Sequence, residues 1–299
     1  MTGELKIGAV FPQIDLADDV GALREWALGV EALGYHHVMI YDHVVGADTS
    51  IHKDWHGAYD VESPFHEPLV TFGYLAALTN LELFTGILIL PQRQTVLVAK
   101  QAAEIDLLSG GRLRLGVGLG WNKLEYEALG ESFGRRGRRL EEQVHLLRDL
   151  WTSKSVTFNG EFDSMNGVGL VPLPIQRPIP LWIGCNSEVA FRRAGGLGDG
   201  WISDKLVPGP ELQAAKKIVE LGAVEAGRDP ATLGMQGRVR LVDSDWPNSG
   251  FSGLIEQIDE WRSAGATHVA IDTMGAQVGP AEAHLEVLST CADMLGLTG

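Results

Sequence analysis

Ser109–Gly110–Gly111–Arg112–Leu113–Arg114–Leu115–Gly116–Val117–Gly118–Leu119–Gly120–Trp121–Asn122 reads as a helix stop, a strand and then a glycine-rich loop. Ser-Gly-Gly supplies the positive φ that ends a helix and turns the chain. Leu113, Leu115 and Val117 alternate as strand residues do. Gly118 and Gly120 leave the backbone bare where the strand emerges, so that it can approach a planar or anionic group closely. The stretch is expected to form one wall of a ligand site.

The same strand-then-loop plan repeats along the chain. Leu5–Phe11 and His36–Tyr41 are short apolar runs, and the second leads straight into Asp42–His43. Leu81–Leu90 is a third run with an internal glycine, and the opening stretch is the fourth. Pro180–Cys185, Gly200–Ser203, Met235–Val242 and Thr267–Asp272 complete the series. Between these runs lie segments with helical spacing. In Asp18–Leu33, the residues Val20, Leu23, Trp26, Ala27, Val30 and Leu33 share one face. Pro68–Thr79, Gln94–Leu108, Glu131–Trp151, Ser187–Gly195, Pro210–Gly227, Ser252–Ala264 and Glu282–Leu295 follow.

Near-continuous apolar strands are buried on both faces, as in parallel sheets. About eight strand–helix units in 299 residues predict an α/β fold, a closed (β/α)8 or TIM barrel, as one domain over residues 1–299. A doubly wound sheet is the competing fold. It would place a glycine fingerprint after the first strand, where this chain has Pro12–Gln13–Ile14–Asp15. Two stretches break the rhythm. Residues 44–67 form a long polar loop after strand two, of the kind used as lids or binding loops. Residues 155–180, with Val156, Phe158, Phe162 and four prolines, read as a β-hairpin and proline-rich return inserted after the fourth helix.

The net charge of −15 argues against nucleic acid or anionic membranes as partners. Cys185 and Cys291 are too few for a disulfide framework or a metal cluster, and fit reduced thiols in the cytoplasm. The start, Met1–Thr2–Gly3–Glu4, has no basic segment, and Ile7–Phe11 is too short for a signal sequence.

In such a barrel the site lies at the C-terminal ends of the strands. There Asp42–His43 is the sharpest pair, because a histidine beside a carboxylate can hold or deliver a proton near neutral pH. The alternative is that His43 only hydrogen-bonds a neighbouring strand and Asp42 caps a turn. His52 and His56 have the spacing of a metal pair, but the glutamate of a metalloprotease helix is missing, and no metal is expected. Trp55 and Tyr59 either cover a substrate or pin the loop. Trp121 stacks on a ring system or belongs to the core. Arg135, Arg136, Arg138 and Arg139 crowd a helix start, where the dipole is already positive. They bind an anion there, or pair with Glu131, Glu141 and Glu142.

The block from Leu90 to Gly130, LPQRQTVLVAKQAAEIDLLSGGRLRLGVGLGWNKLEYEALG, resembles the bacterial luciferase-like superfamily. Its LP-x-R, AK-Q-A, D-x-LSGGR and GVG-x-GW-N elements are similar to the branch of F420-dependent oxidoreductases. GYHHVMIYDHV, RRLEEQVHLLRDLW and PLWIGCNSEVAFRRAGGLGDGWIS extend the resemblance over nearly the whole chain.

The resemblance implies hydride transfer with coenzyme F420, or FMN in its place, acting on a small-molecule substrate. His43 and Asp42 would flank the reactive ring. Gly86–Ile87 falls where the family has a bulge with a non-prolyl cis peptide behind the ring. Gly118, Gly120, Trp121 and Asn122 would lie along the cofactor. Gly184, Cys185 and Asn186, with Gly200, Trp201 and Ser203, would form its phosphate end, with Cys185 standing where a second glycine is common. A homodimer and a flavin or F420 reductase are the expected partners. An FMN monooxygenase working with a reductase and a non-catalytic flavin-binding barrel are the competing functions. Few cations besides Arg93, Lys205 and the arginine cluster lie near the expected mouth, which disfavours a phosphorylated substrate.

Overall fold

The computed structural model describes residues 4–16, 19–203, 205–241, 251, 253–276 and 278–298. Asp18, Val242, Ser252 and Met1–Gly3, which entered the expectations above, lie outside the described residues.

The expected barrel is present. Its strands are β1 (Lys6–Val10), β2 (His37–Ile40), β3 (Glu82–Thr85), β4 (Leu88–Ile89) and β5 (Leu113–Gly118). After the inserted hairpin, β6 (Val156–Asn159) and β7 (Ser164–Val168), come β8 (Leu181–Gly184), β9 (Gly200–Ile202), β10 (Gly234–Arg240) and β11 (His268–Asp272). All barrel pairings are parallel, and β11 lies beside β1 in the register Ile7↔Val269. Pairing of Leu83 with Leu113 joins β3 to β5 and closes the ring. β3 and β4 are two halves of one strand, interrupted at Gly86–Ile87, so eight strands surround the barrel.

The helices between strands are α2 (Val20–Ala32), α3 (Pro68–Ala76), α4 (Thr95–Leu108), α6 (Arg136–Thr152), α7 (Glu188–Leu197), α8 (Pro210–Glu225), α9 (Leu254–Ala264) and α10 (Ala281–Leu295). Two short helices fell in segments expected to be loop: α1 (Gln13–Leu16) after β1 and α5 (Lys123–Ala128) after β5. Among the described residues, no helix is long and apolar enough to cross a membrane. Cys185 and Cys291 are free and buried.

The opening stretch shows how the barrel is built. Gly110 and Gly111 take φ of 71° and 85°, turning the end of α4 into β5. Leu113, Leu115 and Val117 face outward into the core shared with the helices. Arg114 faces the barrel interior, where its guanidinium lies 3.6 Å from the Phe84 ring centroid and 4.3 Å from that of Trp182. Above it, Val10, Met39, Tyr41, Phe84, Trp182, Ile202, Ala270 and Met274 form a separate interior cluster. This plug fills the barrel and forces any ligand to its C-terminal end.

The hairpin β6–β7 is antiparallel, as expected for residues 155–180. It is moored to α6 by the Glu142 carboxylate, which accepts the backbone N–H groups of Glu161 (2.6 Å), Phe162 (2.9 Å) and Asp163 (2.7 Å). The arginine cluster pairs differently from the expectation. Arg139 pairs with Glu131 as expected, but Arg135 pairs with Glu161, and Glu141 pairs with Arg193. Arg136 lies over the Phe133 ring at 3.7 Å. Glu142 is taken by the hairpin, which the linear sequence could not show.

Candidate active site

A cavity of about 350 Å³ opens at the C-terminal ends of the strands. Tyr41, Asp42 and His43 enter from β2, Gly86, Ile87 and Ile89 from the interrupted strand, and Gly118–Trp121 from β5. Gly184 to Ser187 and Ala190 enter from β8 and the start of α7, Ile202 from β9, and Arg238 from β10.

The break at Gly86–Ile87 shapes the floor. A Cβ on Gly86 would meet the Met39 side chain at 2.1 Å, so any larger residue there has to displace Met39. Ile87 occupies the space left by two other glycines: a Cβ on Gly118 would lie 2.7 Å from its side chain, and one on Gly184 2.9 Å. These glycines were expected to bare backbone for a ligand; they first make room for Ile87. The bulge is present, but the cis peptide expected at Gly86–Ile87 is not. Among the described residues the cis bonds are Val171–Pro172 and Arg177–Pro178, both in the insertion.

Asp42 holds the break in place. Its Oδ2 accepts the Ile89 N–H at 2.8 Å and its Oδ1 accepts from Arg93 Nη2 at 2.8 Å. Arg93 donates its other arm to Glu67 Oε1 at 2.8 Å, at the end of the long loop. Burial pushes the Asp42 carboxyl up, while Arg93 and the Ile89 N–H work against that rise. Asp42 lines the cavity, yet its hydrogen bonds run to the barrel wall and not to His43.

The carboxylate beside His43 is Glu125, whose Oε1 lies 3.7 Å from His43 Nδ1. Glu125 is the N3 residue of α5, capped by Asn122, whose Oδ1 accepts the Glu125 N–H at 3.2 Å. The same Oε1 accepts the Val44 N–H at 2.5 Å and the Val45 N–H at 3.3 Å, and Oε2 accepts from Gln92 Nε2 at 3.0 Å. Burial raises the Glu125 carboxyl, but the neighbouring His43 and the hydrogen bonds from Gln92 and the Val44 N–H outweigh it and hold the group below its ordinary value. The His43 ring is enclosed by Phe65 (4.8 Å between centroids), Tyr59 (5.0 Å) and Trp121 (5.5 Å), all near edge-on.

Across the cavity Arg238 Nη1 donates to Tyr41 Oη at 2.6 Å, and Tyr41 Oη donates to Asp272 Oδ2 at 3.4 Å. Burial pushes the Asp272 carboxyl up, against the pull of Arg238 and the Met274 N–H. This places a guanidinium and a phenol at the wall of an otherwise acidic protein.

Of the residues expected at the site, His43, Asp42, Gly86, Ile87, Gly118, Gly120, Trp121, Gly184, Cys185, Asn186 and Tyr59 line this cavity. Asn122, Gly200, Trp201, Ser203 and Trp55 do not. Asn122 is turned into the α5 cap. A Cβ on Gly200 would strike the Trp182 ring at 2.5 Å, so this glycine serves packing inside the barrel. Trp201 is buried against Phe191. Ser203 Oγ accepts the Leu206 N–H at 3.2 Å. Trp55 donates to the Tyr59 carbonyl at 3.0 Å and packs tilted against Trp121, ring centroids 5.6 Å apart, supporting the cavity wall from behind. Cys185 is buried with Sγ 3.7 Å from the Ile202 carbonyl, and burial pushes its thiol up. Glu125, Tyr41, Arg238 and Ser187 escaped the sequence reading. Only Glu125 left a local signal, the Asn-x-x-Glu spacing of a helix N-terminus.

A family model described as luciferase-like monooxygenase matches residues 7–244. The chain belongs to the luciferase-like monooxygenase family. Within this luciferase-like family, an uncharacterized protein of Mycobacterium tuberculosis is 35% identical over 182 residues, 59% of this chain and 62% of that one. The match therefore spans less than two thirds of that relative's length. An FMNH2-dependent dimethylsulfone monooxygenase of Pseudomonas putida is 33% identical over 150 residues, 49% of this chain and 41% of that one. An F420-dependent hydroxymycolic acid dehydrogenase of M. tuberculosis is 29% identical over 226 residues, 73% of this chain and 58% of that one. In fold, the luciferase-like chain superposes on an F420-dependent secondary alcohol dehydrogenase with TM-score 0.77 at 19% identity, covering 99% of each.

Proposed function

We propose that this protein is an oxidoreductase that moves hydride between coenzyme F420 and a small organic substrate. The observation that carries the reading is His43 at the wall of a cavity whose lining matches a flat, partly apolar, anionic cofactor. The fit is readable in the lining. Ile87, Ile89, Ile202 and the bare backbones of Gly118, Gly120 and Gly184 offer a flat apolar surface for a ring system. Asn186, Ser187 and Ala190 bring the start of α7, where the first backbone N–H groups lack intrahelical partners and favour an anion. Bound there, a reduced deazaflavin supplies a hydride.

Reduction of a carbonyl consumes one hydride and one proton. The His43 imidazole supplies that proton to the substrate oxygen, or receives it when an alcohol is oxidised. Trp121, Tyr59 and Phe65 pack around the imidazole and limit its access to water. Asp42 serves by holding the floor. His43 at the cavity wall, and not turned into the core, supports catalysis over a purely binding role. FMN with oxygen is the second reading, favoured by the 33% identity to the dimethylsulfone monooxygenase. Titration of the purified protein with F420 and with FMN, followed by fluorescence, tests the assignment. Micromolar affinity for F420 with much weaker FMN binding is expected; the reverse order overturns it.

A further inference from the structure

We propose that Glu125 is the positioning residue for His43, holding the Nδ1 side of the imidazole so that Nε2 is the nitrogen that exchanges protons. The inference rests on the reading of His43 as the proton-handling group. An N3 glutamate in a capping box turns back to the N-cap backbone. Glu125 does not: its carboxylate leaves α5 and reaches Val44, Val45, Gln92 and the His43 ring. It is fully buried and accepts three hydrogen bonds besides its approach to His43, so its position is over-determined. A carboxylate held against one ring nitrogen accepts from the N–H on that side, which keeps the proton on that nitrogen and stabilises the imidazolium.

The other titratable groups around His43 do not compete for this role. Asp42 is committed to Ile89 and Arg93. Asp60 shares with His43 a second pocket of about 60 Å³, but its Oδ1 accepts from the Glu62 N–H and Ser63 Oγ. Tyr59 meets the ring only edge-on. Because Glu125 also holds the Val44 and Val45 N–H groups, it fixes the start of the long loop along with the imidazole.

The test is nitrogen-15 NMR of the histidine rings in the full-length protein without added cofactor, with His43 assigned by His43→Gln. In the wild type, neutral His43 is expected to carry its proton on Nδ1; a proton on Nε2 overturns the proposal. In Glu125→Ala the preference for the Nδ1 proton is expected to be lost, while Glu125→Asp retains it. An Nδ1 preference in Glu125→Ala equal to that of the wild type overturns it. Where Glu125→Ala does not fold, the wild-type tautomer decides. The F420 and FMN titrations use a separate readout, so a failed cofactor assignment leaves this result intact.

Discussion

Asp42 and Arg93 form a buried ion pair, Oδ1 to Nη2 at 2.8 Å, that closes the break between β3 and β4. Through its second arm Arg93 also ties Glu67, the N-cap of α3, to the same point. Three segments far apart in sequence thus meet on one guanidinium. Arg93→Ala leaves the Asp42 charge buried without its partner, and is expected to cost about 3–5 kcal/mol. Urea unfolding checks this. A loss below 1 kcal/mol would mean that the Ile89 N–H alone satisfies Asp42.

His43→Ala is expected to keep cofactor affinity within a few-fold and to lower turnover by roughly 10²–10⁴, the usual scale of a proton-transfer group. Cofactor titration and steady-state rates, measured on the same preparation, separate the two effects. Turnover within a few-fold of wild type removes His43 from the mechanism.

Gly118→Ala places a methyl group 2.7 Å from the Ile87 side chain. Ile87 then has to move, and the floor of the cavity moves with it. A stability loss of about 1–3 kcal/mol is expected together with weaker cofactor binding. Adding Ile87→Ala to Gly118→Ala frees that space, so the double variant should regain part of the lost stability. Thermal unfolding of the single and double variants provides the comparison.

The lower end of the barrel predicts an acid response. His268 is pushed down to about 2 by burial first, then by Arg114, Lys6 and His36. His37 is held well below its ordinary value, again by burial first and then by Arg114. Unfolded histidines take up protons near pH 6.5. The native ones do not, so the unfolded chain gains protons, and stability falls, as the pH drops below that point. Each histidine contributes a slope of up to about 1.4 kcal/mol per pH unit. Urea midpoints of wild type and His268→Gln between pH 7 and 4 should diverge, with the variant losing less. Parallel curves would show that His268 does not titrate differently in the two states.

Much of the architecture was legible because it is periodic. Strands such as Leu113–Gly118 bury both faces, and helices such as Val20–Ala32 carry one apolar face, so spacing alone located them. The insertion was visible because its composition departs from that rhythm. Less legible were α5 and the interruption at Gly86–Ile87. A six-residue helix has too few turns to show a period, and a broken strand looks like one apolar run until its partner is known.

The sequence by itself determined the barrel, its order of strands and helices, the long loop, and which strand ends face the cavity. It could not determine which side chains meet at those ends. Asp42 and His43 are adjacent, and consecutive residues of an extended segment project to opposite sides. Here both line the cavity, but the Asp42 carboxylate is bonded to the Ile89 N–H and Arg93 and does not reach the neighbouring imidazole. His43 meets instead a carboxylate from α5, and Glu125 bonds the Val44 N–H across 81 positions of sequence. The glycines around Gly118 changed meaning in the same way. Their freedom was plain in the sequence, but that it accommodates Ile87 was decided only when barrel closure brought β4, β5 and β8 side by side.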